Sequence, residues 1–169
     1  MTLIIETGTG SATAEAYADA AAYVAWAIAF DGAAPTDTTT ATEAAIRRAV
    51  AYMDGLRWTG TKTFGRVQAR AWPRAYVCDR DGWAIASNVI PAEIIEAQHM
   101  LTKAELAAPG CLAPSVAAGA RQKVLTGLGE MSWTVAPGAT APDAQRTVVL
   151  AAMDRLKGLV TSGGTLVRA

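Results

Sequence analysis

Thr40-Ala-Thr-Glu43-Ala-Ala-Ile46-Arg47-Arg48-Ala49-Val50-Ala-Tyr52-Met53-Asp54-Gly55 is the stretch on which the fold turns. Thr40 and Glu43 stand at the spacing of a capping box, in which each side chain satisfies an orphan amide at a helix start. Ile46, Ala49, Val50 and Met53 then recur along one side, Arg47 and Arg48 lie on the other, and Gly55 is a fitting stop. The pattern predicts a helix over about residues 41–54 with one buried face.

Working outward, residues 3–5 suit a short strand, and Gly8, Gly10 and Ser11 make a turn-rich lead into an alanine-rich segment that runs to Phe30. Tyr17, Ala21, Val24 and Ile28 recur there at helical spacing, widened by Tyr23, Trp26, Ala27 and Phe30, which predicts another helix with a broad buried face. Downstream, Pro91 opens a helix where its missing N–H does least harm, and Ile94, Ala97, Leu101 and Ala104 mark its stripe to about residue 107. Residues 121–125 and 131–135, parted by Gly127 and Gly129, read as a β-hairpin. The last helix is expected over about residues 142–159, with Val148, Val149, Ala152, Leu156 and Leu159 inward and Arg146, Asp154, Arg155 and Lys157 outward. The expected fold is therefore mostly α: a small bundle of about four helices with a long central loop over residues 56–88 and one short hairpin. Residues 1–160 form one domain, and residues 161–169, reached through Ser162-Gly163-Gly164, form a flexible tail.

The 169 residues carry a formal net charge of +0 and a hydrophobic share of 51%. That balance fits neither an acidic disordered chain nor a uniformly basic nucleic-acid binder. No apolar run reaches the ~18 residues of a membrane span, and the first six residues lack the features of a signal peptide, so a soluble chain made in the cytoplasm is expected, without a membrane partner. Cys78 and Cys111 sit in no metal-ligand spacing and read as reduced thiols. His99 is the one histidine. Glu96-x-x-His99 is half of a di-iron carboxylate site, but its second copy is missing, and no serine lies in a GxSxG elbow. There is no GxxxxGK[ST], and Gly8-Thr9-Gly10 lacks the further glycine of a dinucleotide loop. The sequence predicts no catalytic residue, no metal and no cofactor.

Charge placement says more than charge total. Residues 57–80 hold six cations (Arg57, Lys62, Arg66, Arg70, Arg74, Arg80) against Asp79 alone, a local +5. Residues 1–56 hold two cations and seven anions, a local −5, and residues 81–169 balance at seven each. The basic segment also carries Trp58, Phe64, Trp72 and Tyr76, with Trp83 just beyond it. Cations for phosphates and rings for bases make a single-strand groove; the same residue types make a protein hot spot. A plainer alternative packs the rings onto the helices as core and leaves the arginines in solvent. The candidate interface residues are Arg57, Trp58, Lys62, Phe64, Arg66, Arg70, Trp72, Pro73 and Arg74, together with Leu166, Val167 and Arg168 in the tail. Arg70, Trp72 and Arg74 are expected to organise the loop and to lie at or beside that interface, and the tail to order on docking.

Trp58-x-Gly60-x-Lys62-x-x-Gly65, then Trp72-Pro73-Arg74, the acidic-glycine turn from Asp79 to Gly82, and Ile90-Pro91 opening a helix with Ala97 and Leu101 together resemble a phage family. It is the head–tail connector (adaptor) family of tailed phages, whose members often carry the label DnaT-like single-stranded DNA-binding protein. The likeness covers roughly residues 10–160, although the family's lysine-valine strand and tyrosine-bearing strand correspond only loosely to Lys123-Val124 and Met131-Ser132-Trp133. The resemblance implies a mostly helical, non-enzymatic virion subunit. It implies a homo-oligomeric ring, dodecameric, between the portal protein and a tail-side stopper or tail-terminator protein, with genomic DNA passing through the lumen without sequence readout. Of the two labels, the sequence favours the connector. A free single-strand binder gains from net cationic surface, whereas a ring subunit gains from opposite faces of opposite sign. Single-stranded DNA binding is the alternative.

Overall fold

The computed structural model describes residues 2–113 and 149–161. Among the described residues the helices are α1 (Ala20–Asp31), α2 (Thr39–Asp54), α3 (Ala92–Ala107) and α4 (Leu150–Arg155). Between α2 and α3 lie a 3-10 turn (Gly65–Val67) and the strands β1 (Thr61–Lys62), β2 (Arg74–Ala75), β3 (Val77–Cys78) and β4 (Ala84–Ile85). The strands form two antiparallel pairs, β1 with β2 and β3 with β4. The fold is thus mixed, with helix predominant. The central loop is ordered and carries short two-residue strands, while the hairpin expected over residues 121–135 and the tail residues Leu166, Val167 and Arg168 lie outside the described residues.

The core is the seam of α2, α3 and α4. Ile46, Ala49, Val50 and Met53 of α2 share one core with Ile94, Ala97 and Leu101 of α3, joined by Ala152 of α4 and Leu156 just after it. The helix after Pro91 ends at Ala107 as its stripe predicts. For α2 the cap moves: Thr38 Oγ1, not Thr40, accepts from the Ala41 amide at 3.2 Å, and the helix begins at Thr39. Glu43 sits 3.8 Å from Arg47, one turn on. For α1 the correction is larger. Asp19 caps it, with its carboxylate accepting from Ala22 at 2.8 Å, so Tyr17 precedes the helix. Tyr23 and Ala27 are buried while Ile28 and Phe30 stand 47% and 59% exposed, so the expected inward position of Ile28 is wrong. Between its aspartate cap and Asp31 the helix has no charged residue to mark an outer face.

Before α1 the chain is extended and looped. Ile5 bridges Ala16, and the buried carboxylate of Glu6 accepts from the amides of Gly8 and Gly10 at 2.9 Å each and of Ser11 at 2.7 Å. These amides, which in a phosphate loop would face a ligand, are turned onto the chain's own carboxylate. At the far end of α3, Glu105 is fully buried and accepts from the Gly110 and Leu112 amides at 2.8 and 2.9 Å and from Arg48 Nε at 2.6 Å. These donors hold its pKa below the usual carboxylate value against the opposing effect of burial, which is the largest single influence.

His99 is buried on α3 beneath an aromatic row, 5.9 Å from Tyr23 and 5.4 Å from Trp26 between ring centroids, and its Nδ1 has no partner among the described residues. Burial pushes its pKa down to about 4, with Asp19 acting weakly the other way. The imidazole is therefore neutral in the fold, while the unfolded chain takes up a proton below about pH 6.5. Stability is full above that pH and is lost as pH falls from about 6.5 to about 4, by roughly 3 kcal/mol in all. Urea unfolding of the parent and of His99→Phe across this range should show the parent losing more stability than the variant; equal losses would place the histidine elsewhere.

A candidate ring and arginine surface on the central segment

The central segment begins where α2 ends. Trp58 Nε1 donates to Met53 O at 2.9 Å, and the chain then runs alongside the residues after α4: Thr59 donates to Leu159 O and Thr161 to Arg57 O at 2.9 and 2.7 Å. β1 and β2 follow in the register Lys62 opposite Arg74 and Thr61 opposite Ala75. The turn between them is organised by the buried Gln68. Its Oε1 accepts from the Phe64 amide at 3.3 Å, and its Nε2 donates to Arg70 O and Pro73 O at 2.9 and 3.0 Å.

Several of the expected interface residues are interior. Trp72 is fully buried, edge-on to Trp58 at 5.9 Å, with its amide donating to the Tyr17 hydroxyl at 3.2 Å. Pro73 is buried beside it. Arg74 is 9% exposed and donates to Thr59 O and Gly60 O at 2.6 Å each and to Ala71 O at 3.2 Å. Burial lowers the pKa of this guanidinium from its ordinary value. Arg70 is half-buried; it reaches Ala14 O at 2.7 Å and Asp54 at 2.8 Å, and the same carboxylate accepts from the Ala71 amide. Arg70, Trp72 and Arg74 do organise the segment, but as its inside. Trp72, Pro73 and Arg74 are buried within one subunit, the turn's carbonyl oxygens are taken by Arg74 and Gln68, and the Trp72 indole N–H has no partner among the described residues.

What remains outside is a smaller set. Arg57 and Arg66 are exposed, Phe64 is 46% exposed with its ring across Gly10, Trp58 is half-buried, and Lys62 Nζ is occupied by Gln68 O at 3.1 Å. Three further residues outside the expected interface join them. Tyr76 is 91% exposed, Trp83 is 75% exposed at the end of the β3–β4 turn, and Arg80 is exposed within that turn. Asp79 builds the turn by accepting from the Asp81 and Trp83 amides at 3.0 and 2.8 Å. The signal for Arg80 and Trp83 was the Asp79 to Gly82 turn itself, since a tight turn places its flanking side chains at a tip; Tyr76 lies before β3, and nothing in the local sequence marked it. Among the described residues Arg57, Arg66 and Arg80 form no ion pair, unlike Arg47, Arg48, Arg70, Lys103, Arg155 and Lys157. No group of three or more histidine, cysteine or acidic side chains among the described residues could hold a metal ion, and no helix there is long and apolar enough to cross a membrane.

These features define a small, mainly helical module whose irregular central segment presents rings and unpaired arginines. Over residues 1–169 the chain belongs to the family described as "Putative DnaT-like ssDNA binding protein". No curated protein and no solved structure matches it.

The division between inside and outside is measurable. Trp72→Ala should lower the unfolding free energy by about 3–5 kcal/mol, and Arg74→Ala, which leaves three carbonyl oxygens without their donor, by about 2–3 kcal/mol. Arg66→Ala should change it by less than about 0.5 kcal/mol. Urea unfolding followed by tryptophan fluorescence reads all three; parental stability in the Trp72 or Arg74 variant would return that residue to the surface.

Proposed function

We propose that this chain binds single-stranded DNA without reading its sequence, through the rings and arginines that its central segment leaves in solvent. One observation carries the reading: within residues 57–83, Phe64, Tyr76 and Trp83 are exposed, while Arg57, Arg66 and Arg80 have no carboxylate partner among the described residues. Every base has a π-face, so exposed rings take bases of any kind, and free guanidinium groups follow the phosphates. Membership of the family described as ssDNA-binding supports the same ligand. With a net charge of +0 and only three such arginines, the complex is weak and sensitive to salt. Neither catalytic residues nor a cofactor enter this reading.

Anisotropy of a labelled oligo-dT against salt tests it. Three phosphate contacts predict a slope of log K on log salt of about −2, and Arg66→Ala should make it shallower by about 0.7. No binding at low salt, or a tight complex indifferent to salt, would reject the reading.

A second reading, a head–tail connector subunit of a phage particle, is favoured by apolar surface outside that segment. Ile28 and Phe30 of α1 are exposed, and Leu56, Met153, Leu156 and Val160 floor an apolar groove of about 460 Å³ beside Arg57 and Lys157. A subunit of a heterologous ring needs two unlike faces of this kind. On this reading the copies form a ring, dodecameric by the resemblance, that touches a portal protein on one side and a stopper or tail-terminator protein on the other. Genomic DNA crosses the lumen, and the chain resides in the virion after synthesis in the bacterial cytoplasm. Negative-stain microscopy of the protein with portal rings should show decorated portals; bare portals at saturating subunit would remove this second reading.

A further inference from the structure

β2 ends at Ala75 and β3 begins at Val77, and the two strands pair with different partners, β1 and β4. One residue, Tyr76, makes the whole change of sheet. It does so at φ +60°, as the only non-glycine residue with positive φ among the described residues. Beneath it lies Gly60, where a β-carbon would collide with the Ala75 carbonyl oxygen and the Val77 side chain and crowd the Tyr76 carbonyl. The backbone of the joint is therefore clamped from below by Gly60 and by the two short ladders on either side.

The Tyr76 side chain contributes nothing visible to this arrangement. It is 91% exposed and makes no hydrogen bond or ring contact among the described residues. Asparagine or glycine would take the same backbone conformation with less strain, because a bulky β-carbon in the left-handed region is disfavoured and a small polar or absent one is not. The chain thus holds a large ring at a position where the fold alone favours another residue, and strain of this kind gathers at ligand-contacting positions. The clamped backbone fixes the point from which the ring projects, so only the side-chain torsions have to be ordered on stacking.

We infer that Tyr76 is the main stacking contact for a nucleobase of a bound single strand, kept there at the expense of fold stability. The inference rests on the single-stranded DNA reading above and deepens it. It separates two kinds of contact within the surface: arginines that set the salt dependence, and one strained ring whose contribution is independent of salt.

The test uses the full chain with Tyr76→Asn and Tyr76→Phe, urea unfolding, and anisotropy of labelled oligo-dT at several salt concentrations. Tyr76→Asn should unfold at the parent's urea midpoint or above it, and should bind about tenfold more weakly with the salt slope unchanged. Tyr76→Phe should bind like the parent. A Tyr76→Asn variant that binds as tightly as the parent overturns the inference and leaves the DNA reading standing. A lowered urea midpoint overturns it too, because the ring would then be structural. Unchanged DNA binding with altered self-association would assign the ring to a protein contact and overturn it as well. If the parent itself binds no strand, the DNA reading fails and Tyr76 with it.

Discussion

The Arg74 guanidinium, donating to the carbonyl oxygens of Thr59, Gly60 and Ala71, is the interaction on which the central segment depends. A stretch with only two-residue strands cannot satisfy its backbone through ladders, and unpaired buried carbonyls are costly. The solution recurs through the molecule. A buried or half-buried polar side chain takes the place of missing secondary structure: Glu6 for the amides of residues 8, 10 and 11, Gln68 for Phe64, Arg70 and Pro73, Asp54 for Ala71, and Glu105 for the turn after α3. Gln98 on α3 does the same for the chain before α1, accepting from the Tyr17 amide and donating to Ala18 O. The helices supply a platform, and these side chains fasten the irregular segments to it.

Those fasteners explain how much could be read from the sequence. The helical stripes of α2 and α3 were legible because burial there follows a period: Ile46, Ala49, Val50 and Met53 on one, Ile94, Ala97 and Leu101 on the other, all at 0% exposure. Of the outward residues expected on the last helix, Asp154 and Arg155 are exposed on α4, but that helix ends at Arg155 rather than about residue 159, so Lys157 follows it, and Arg146 lies outside the described residues. No period marks α1, which is apolar on all sides, so its buried side could not be chosen and Ile28 was placed wrongly. The buried polar residues give no periodic signal either. Arg74 looks like any cation in a basic run, and nothing local states that its neighbours fold their carbonyls toward it. Trp72 was ambiguous in the same way, since a tryptophan between arginines suits a hot spot and a core equally well until the tertiary contacts decide.

The candidate site was legible in type more than in residue. A local charge of +5 with interleaved rings drew attention to the right segment, but that total counts charges the fold consumes. Arg70 is spent on Asp54, Arg74 on carbonyl oxygens and Lys62 on Gln68 O, which leaves Arg57, Arg66 and Arg80 for a partner. The rings divide in the same way: Trp72 goes inside, Trp58 is half-buried, and Phe64, Tyr76 and Trp83 stay out. Presentation depends on the turns, above all on Asp79 holding the β3–β4 tip and Gly60 supporting the joint at Tyr76.

This partition constrains either role. Three unpaired arginines and a few rings on one subunit give a modest free energy for a polyanion, because each phosphate contact contributes through the release of few counterions. A surface of that strength works best when repeated. Copies brought together, on a strand or around a ring, raise the effective concentration of each further contact and turn weak single sites into a stable joint. The same repetition would relieve the exposed apolar side of α1, where Ile28 and Phe30 gain by leaving water. On the proposed reading, weak contact with a polyanion and a gain from repetition are linked consequences of how the chain spends its charges inside and leaves apolar residues of α1 outside.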